Sequence, residues 1–118
     1  MVQRDDSKRI SLPQGALELL VLRVLSAGSR HGYAIALDVR RQSRDALGLE
    51  EGSLYPALHR MERHGWIEAE WGRSENGRRA KFYALTEDGK RRLKGAKRSW
   101  ERMTGAMGLV LGIRPAGA

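Results

Sequence analysis

Apolar residues crowd the stretch ALELLVLRVL near the start of the chain, where Leu17, Leu19, Leu20, Val21, Leu22, Val24 and Leu25 leave almost no polar side. Ser11 and Pro13 precede it as a polar cap and a first-turn proline should, and Gly28 follows where a helix stop belongs, which predicts the first helix. A helix apolar all round must be covered all round, and in so short a chain that suggests a second subunit on one side. The stretch HGYAIALDVRRQS then mixes Tyr33, Ile35, Leu37 and Val39 with Asp38, Arg40 and Arg41, a second helix. After a loop containing Gly48, Gly52 or Ser53 caps a third helix that runs to His64 and stops at Gly65. Pro56 belongs in its first turn, because a proline in mid-helix costs about 3 kcal/mol, and this sets the start near Ser53. Leu54, Ala57, Leu58 and Met61 recur at helical spacing as the buried stripe, leaving Ser53, Tyr55, Pro56, His59, Arg60 and Arg63 facing outward.

The period then changes from helical to two. In WIEAEW, Ile67, Ala69 and Trp71 alternate with Glu68 and Glu70, and AKFYALT supplies a second strand after the turn GRSENGRR. Asn76-Gly77 is a hairpin signal because both residues tolerate positive φ, so a two-stranded ribbon with a basic tip is expected. Trp66 and Trp71 are expected to anchor this hairpin on the helices. Thr86 caps a last helix whose first turn carries Glu87 and Asp88, favoured by the positive end of the helix dipole. Along it Leu93, Ala96, Trp100, Met103, Met107 and Val110 recur in alternating steps of three and four, the pattern of a heptad seam, which Gly105, Gly108 and Gly112 weaken toward its end.

Charge changes this picture of a small helical domain by giving it a partner. The 118 residues suffice for one domain and one core, and the net charge of +8 favours a polyanion. Residues 72–81 carry net +3 and residues 86–103 net +4, while residues 51–71 carry net −2, so the excess is focused as a binding face would have it. The absence of cysteine excludes disulfides, thiolate catalysis and Cys-type zinc sites. His59 and His64 stand five apart, off a common helix face, and His31 is distant, so neither a metal nor a cofactor is expected. No Gly-x-Ser-x-Gly elbow or phosphate-binding glycine loop is present, which argues against an enzyme. No apolar run reaches the roughly 18 residues of a membrane span, and MVQRDDSKR lacks a signal-peptide core, so no membrane partner is expected and the expected compartment is the cytoplasm.

Three helices followed by a hairpin, the third helix carrying a polar outer face, make the winged helix-turn-helix plan, in which helix three enters the DNA major groove and the wing lies on the backbone. The expected fold is therefore mostly α with a small β-hairpin. It divides into a flexible tail over residues 1–10, a winged helix-turn-helix domain over 11–86, a C-terminal dimerisation helix over 87–112 and a tail over 113–118. Arg73, Arg78, Arg79 and Lys81 at the glycine-flanked tip suit phosphates or a minor groove. Ser53, Tyr55, His59 and Arg60 offer donors and a flat ring near the start of helix three. Leu93, Ala96, Trp100, Met103 and Met107 are the expected homodimer seam. The rival class is a winged helix that binds a protein or structured RNA, which would lack preference for a duplex sequence.

Four blocks, LPQGALELLVLRVL, HGYAIALDV, GSLYPALHRMERHGWI and GRRAKFYALTEDGKRRL, together resemble the PadR family of bacterial transcriptional regulators over about residues 12–103. The last three, in that order and spacing, are the specific ones. The resemblance implies a homodimeric winged-helix regulator, usually a repressor, that binds double-stranded DNA at a two-fold symmetric operator. It implies DNA contact from Tyr33 and from Ser53, Tyr55, Pro56 and His59, and backbone contact from the wing around Arg78, Arg79 and Lys81. Read from the residues alone, Tyr33 equally suits packing between helices and Tyr55 equally suits a helix-face aromatic. Many family members carry a longer, multi-helix C-terminal region, whereas this chain stops after one helix and looks like the short class. Some relatives bind aromatic compounds at the dimer interface, which would put Trp100 beside a small-molecule effector; plain dimer packing is the simpler role for it.

Overall fold

A computed structural model describes Ile10, Leu12 and residues 14–113. The expected cap at Ser11 and Pro13, the tail over residues 1–9 and residues 114–118 lie outside the described residues. The elements run α1 (Gln14–Leu25), β1 (Arg30–His31), α2 (Gly32–Gln42), α3 (Glu51–Arg63), β2 (Ile67–Arg73), β3 (Arg79–Leu85) and α4 (Glu87–Leu111). Among the described residues the architecture is four helices and one small antiparallel sheet of order β1-β3-β2, so the mostly helical, winged plan is observed.

The core forms where the apolar stripes meet. Leu17, Val21, Leu22, Val24 and Leu25 of α1, Ile35 and Val39 of α2, Leu54, Ala57, Leu58 and Met61 of α3, and Ile67 and Tyr83 of the sheet make one buried cluster. The α3 stripe is the one its spacing predicts. The apolarity of α1 is answered largely within the chain, because α1 packs on α2, α3, α4 and β3 at once, and only Leu19 and Leu20 stay half-buried. A second subunit is not needed to explain it.

Two boundaries differ from expectation. Helix α3 starts at Glu51, with Glu50 as its cap residue accepting from the Ser53 and Leu54 amides at 3.0 and 2.8 Å, so Pro56 sits in the second turn. The carbonyl that Pro56 leaves without a helical donor belongs to Gly52, which is exposed, so water can satisfy it and the mid-helix penalty is softened. The sheet has a third strand. β1 pairs with β3 through Arg30 opposite Tyr83 and His31 opposite Phe82. Two residues carry no alternation to read; their pairing follows from the tertiary approach of the α1–α2 connection to β3.

β2 and β3 pair in register from Ile67 opposite Leu85 to Arg73 opposite Arg79. The turn between them is not the two-residue type that Asn76-Gly77 suggests. Gly77 alone takes positive φ, at 77°, and its amide donates to the Ser74 carbonyl at 2.9 Å, while the Ser74 amide closes on the Arg78 carbonyl at 2.8 Å. This is a three-residue connection with glycine in the left-handed position.

The base of α4 is fastened to the end of α3 and the start of β2. Thr86 caps α4 by accepting from the Gly89 amide at 3.0 Å, its hydroxyl donates to the Gly65 carbonyl at 2.6 Å, and its own amide donates to the Trp66 carbonyl at 3.1 Å. Gly89 is buried against that same Trp66 carbonyl; a Cβ there would stand 2.0 Å from the oxygen. The Trp66 ring, packed against the core, stacks with the His64 ring at 4.5 Å and has the Arg92 guanidinium over it at 4.5 Å. Beyond this clamp α4 runs on, 25 residues or about 37 Å in all, and ends in a left-handed Gly112 with the Ile113 amide donating to Gly108 at 2.9 Å.

Candidate nucleic-acid interface

The outer face of α3 is built as the negative of its core stripe. With Leu54, Ala57, Leu58 and Met61 buried, Ser53, Tyr55, Pro56 and His59 are all exposed. The N-terminus of α2 lies beside this face. His31 caps α2, its Nδ1 accepting from the Ala34 amide at 3.2 Å, and its ring stacks at 6.4 Å on that of Tyr33, which is 68% exposed. Phe82 of β3 meets the His31 ring edge-on at 5.3 Å. Gly32, the first residue of α2, is buried beneath Tyr55, and a Cβ there would come within 2.8 Å of the Tyr55 ring and hydroxyl. Its missing side chain therefore lets Tyr55 lie across the start of α2, which sets Tyr33 beside the α3 face that carries Ser53, Tyr55, Pro56 and His59.

Gly32→Ala should displace the Tyr55 ring while leaving the core intact, because the obstructing atoms are the far end of a movable side chain. The expected change in melting temperature is within about 4 °C, equivalent to roughly 1 kcal/mol. The expected loss in affinity for duplex DNA is about tenfold for one misplaced contact. Thermal melting with a fluorescence-anisotropy titration checks both, and unchanged affinity would detach Tyr55 from the interface.

The wing adds the positive charge. Arg73, Arg78 and Arg79 are exposed around the turn; Arg73 Nη1 donates to the Gly77 carbonyl at 3.0 Å, which ties its side chain to the loop. Trp71 departs from expectation. It does not anchor the hairpin in the core but is 57% exposed, with the Arg79 guanidinium 4.4 Å from its ring centroid. The inner face of the ribbon, carrying Ile67, Ala69, Trp71 and Arg73 opposite Leu85, Tyr83, Lys81 and Arg79, is buried at Ile67 and Tyr83 and emerges into solvent toward the turn. The opposite face bears the exposed Glu68 and Glu70, so Arg73, Arg79 and Lys81 share the face away from these carboxylates.

Two candidate residues are placed apart from the exposed set. The half-buried Arg60 stands 3.6 Å from Glu18 of α1, and Lys81, in the body of β3, stands 3.7 Å from Glu62 of α3. Each has an intramolecular carboxylate that a phosphate would have to displace. Burial pushes the neighbouring Tyr83 phenol above the ordinary tyrosine value of 10.0, and Glu62 and Tyr55 add in the same direction. The features missed in the sequence are Gly32, the His31 cap and Trp71. An HGY segment at a helix start was the available signal for the first two.

Along α4 the expected seam divides. Leu93 and Ala96 are half-buried near the clamp, whereas Trp100, Met103 and Met107 are exposed and Val110 reaches 88% exposure, with Leu109, Leu111 and Ile113 beside it. Among the described residues, no three His, Cys, Asp or Glu side chains gather as metal ligands, and no helix is long and apolar enough to cross a membrane.

Comparison with known proteins agrees with this geometry. The family model described as transcriptional regulator PadR-like family matches residues 21–95. The chain is similar to a PadR family transcription regulator from hypervirulent Clostridium difficile, with 34% identity, 80% of this chain and 97% of that one covered, and a TM-score of 0.70. A PadR-like transcriptional regulator from Bacillus cereus matches with 28% identity, 83% and 93% coverage and a TM-score of 0.71. An uncharacterized protein of Lysinibacillus sphaericus is 28% identical over 92 residues, 78% of this chain and 84% of the relative.

Proposed function

Because this chain belongs to the PadR-like family of transcriptional regulators, we propose that it is a homodimeric repressor that seats α3 of each protomer in the major groove of a two-fold symmetric operator. DNA-binding regulation, not enzyme chemistry, is the activity of its family. The observation that carries the finer reading is the exposed set Tyr33, Ser53, Tyr55, Pro56 and His59 beside a wing whose Arg73, Arg78 and Arg79 face solvent. In this reading the α3 set meets base edges and nearby phosphates, and the wing arginines meet the backbone or a minor groove. Arg60 and Lys81 take part by exchanging Glu18 and Glu62 for phosphate, so they contribute less than the wing tip. The working compartment is the cytoplasm, with the DNA.

The dimer rests on α4. Trp100, Met103, Met107 and Val110 leave an apolar stripe in solvent that a second copy of the same helix would cover, continuing the half-buried Leu93 and Ala96. Trp100 in that seam is where an aromatic effector would touch the protein. Sedimentation equilibrium of the wild-type chain should return a dimer, and a monomer at micromolar concentration would refute the seam.

Competition decides the partner. A labelled duplex bound by the protein should be displaced by unlabelled duplex far better than by a structured RNA hairpin of equal charge. The reverse order would favour the RNA-binding class, and no binding to either would favour a protein partner.

A further inference from the structure

We propose that Trp71 is a positioning residue of the wing, holding the Arg79 guanidinium at a fixed place and angle for its contact with the DNA backbone. The inference rests on the DNA-binding reading above and adds to it a residue that the charge pattern does not reveal.

The geometry separates Arg79 from the other basic residues of the wing. Trp71 lies directly opposite Lys81, and Arg79 is two residues earlier in β3, on the same face of the ladder. At this diagonal an aromatic ring and a long side chain reach each other. The guanidinium lies 4.4 Å from the indole centroid, within the range of a cation–π contact. A guanidinium that meets a ring through its face keeps its N–H donors, which lie in the plane, available for a forked bond to phosphate oxygens. Arg73 is spent in part on its bond to the Gly77 carbonyl, Lys81 stands beside Glu62, and among the described residues no ring lies against Arg78. Among the described residues, no carboxylate stands within ion-pair distance of Arg79, and Glu68 and Glu70 project from the other face of the ribbon.

A tryptophan left 57% in solvent contributes little to a core, so packing does not account for it. An arginine on a hairpin ordinarily samples many rotamers and loses that freedom on binding. A ring that already holds the side chain removes part of this loss, so Trp71 would act on affinity through Arg79 without touching DNA itself.

A double-mutant cycle tests it, read by anisotropy on a fluorescein-labelled duplex enriched from a random-sequence pool. Trp71→Ala should weaken binding about tenfold per dimer, and Trp71→Phe, which keeps a ring, should stay within about threefold of wild type. Arg79→Ala should weaken it about thirtyfold. In the Arg79→Ala background, adding Trp71→Ala should change affinity less than twofold, since the group it positions is gone. Melting of each variant within a few degrees of wild type confirms that the fold is retained. An equal loss from Trp71→Ala in both backgrounds overturns the proposal, because Trp71 would then act independently of Arg79. A wild-type chain that binds the duplex while Arg79→Ala is neutral overturns it and leaves the DNA-binding reading standing; a wild-type chain that binds no duplex overturns both.

Discussion

Gly89→Ala should lower the melting temperature by roughly 10 °C, against the direction that helix propensity alone dictates. In an exposed helix interior, alanine is better than glycine by about 1 kcal/mol, so propensity predicts a gain. Here the added Cβ would stand 2.0 Å from the Trp66 carbonyl oxygen, 3.0 Å from its carbon and 3.0 Å from Leu85 Cδ2. The obstructing atom is backbone, and that carbonyl is also the acceptor for the Thr86 amide. Relief requires the first turn of α4 to move away from the end of α3, loosening the Thr86 cap and the Arg92–Trp66–His64 stack. Overpacking of this kind costs about 3 kcal/mol, which in a chain of this length is the stated fall in melting temperature. Gly95 and Gly105, with nothing within 4 Å of an added Cβ, are the controls; alanine at either should be neutral or stabilising. Melts followed by circular dichroism at one protein concentration settle the comparison. A Gly89→Ala variant that melts at or above wild type would mean that α4 is not clamped as described.

Replacing Arg78 and Arg79 together by alanine should weaken DNA binding on the order of a thousandfold at physiological salt. Two charges per protomer are four per dimer, and each phosphate neutralised on duplex DNA carries about 0.9 of a unit in the slope of log affinity against log salt. If about eight phosphates are neutralised in the wild-type dimer, its slope is near −7, and the variant's should be shallower by about 3.6. The loss should be the same for enriched and for random duplexes, because backbone contacts carry no sequence information. A loss confined to the enriched duplex would instead put the arginines on base edges.

The elements themselves were largely legible. Helical spacing marked the buried stripe of α3, alternation marked β2, and Thr86 with Glu87 and Asp88 marked the start of α4. Features set by the approach of distant segments were not. β1 is two residues long and exists because β3 is beside it. Alternation told which face Trp71 occupies but not that the ribbon outruns the helices beneath it, so a residue expected in the core stands in solvent. Arg60 and Lys81 read as free positive charge in the sequence, whereas Glu18 and Glu62 stand across from them on other elements. Likewise the purpose of Gly32 and Gly89 lies in what they let approach, Tyr55 and Trp66, which no local pattern records.

The most direct test of the central claim is a selection from random duplex DNA with the purified chain at about 0.15 M salt, a concentration at which surface electrostatics are moderately screened. Sequencing of the bound pool should reveal a two-fold symmetric motif with half-sites about one helical turn, roughly 34 Å, apart, as two copies of α3 in successive major grooves require. A pool without any shared motif would contradict a sequence-specific dimeric regulator.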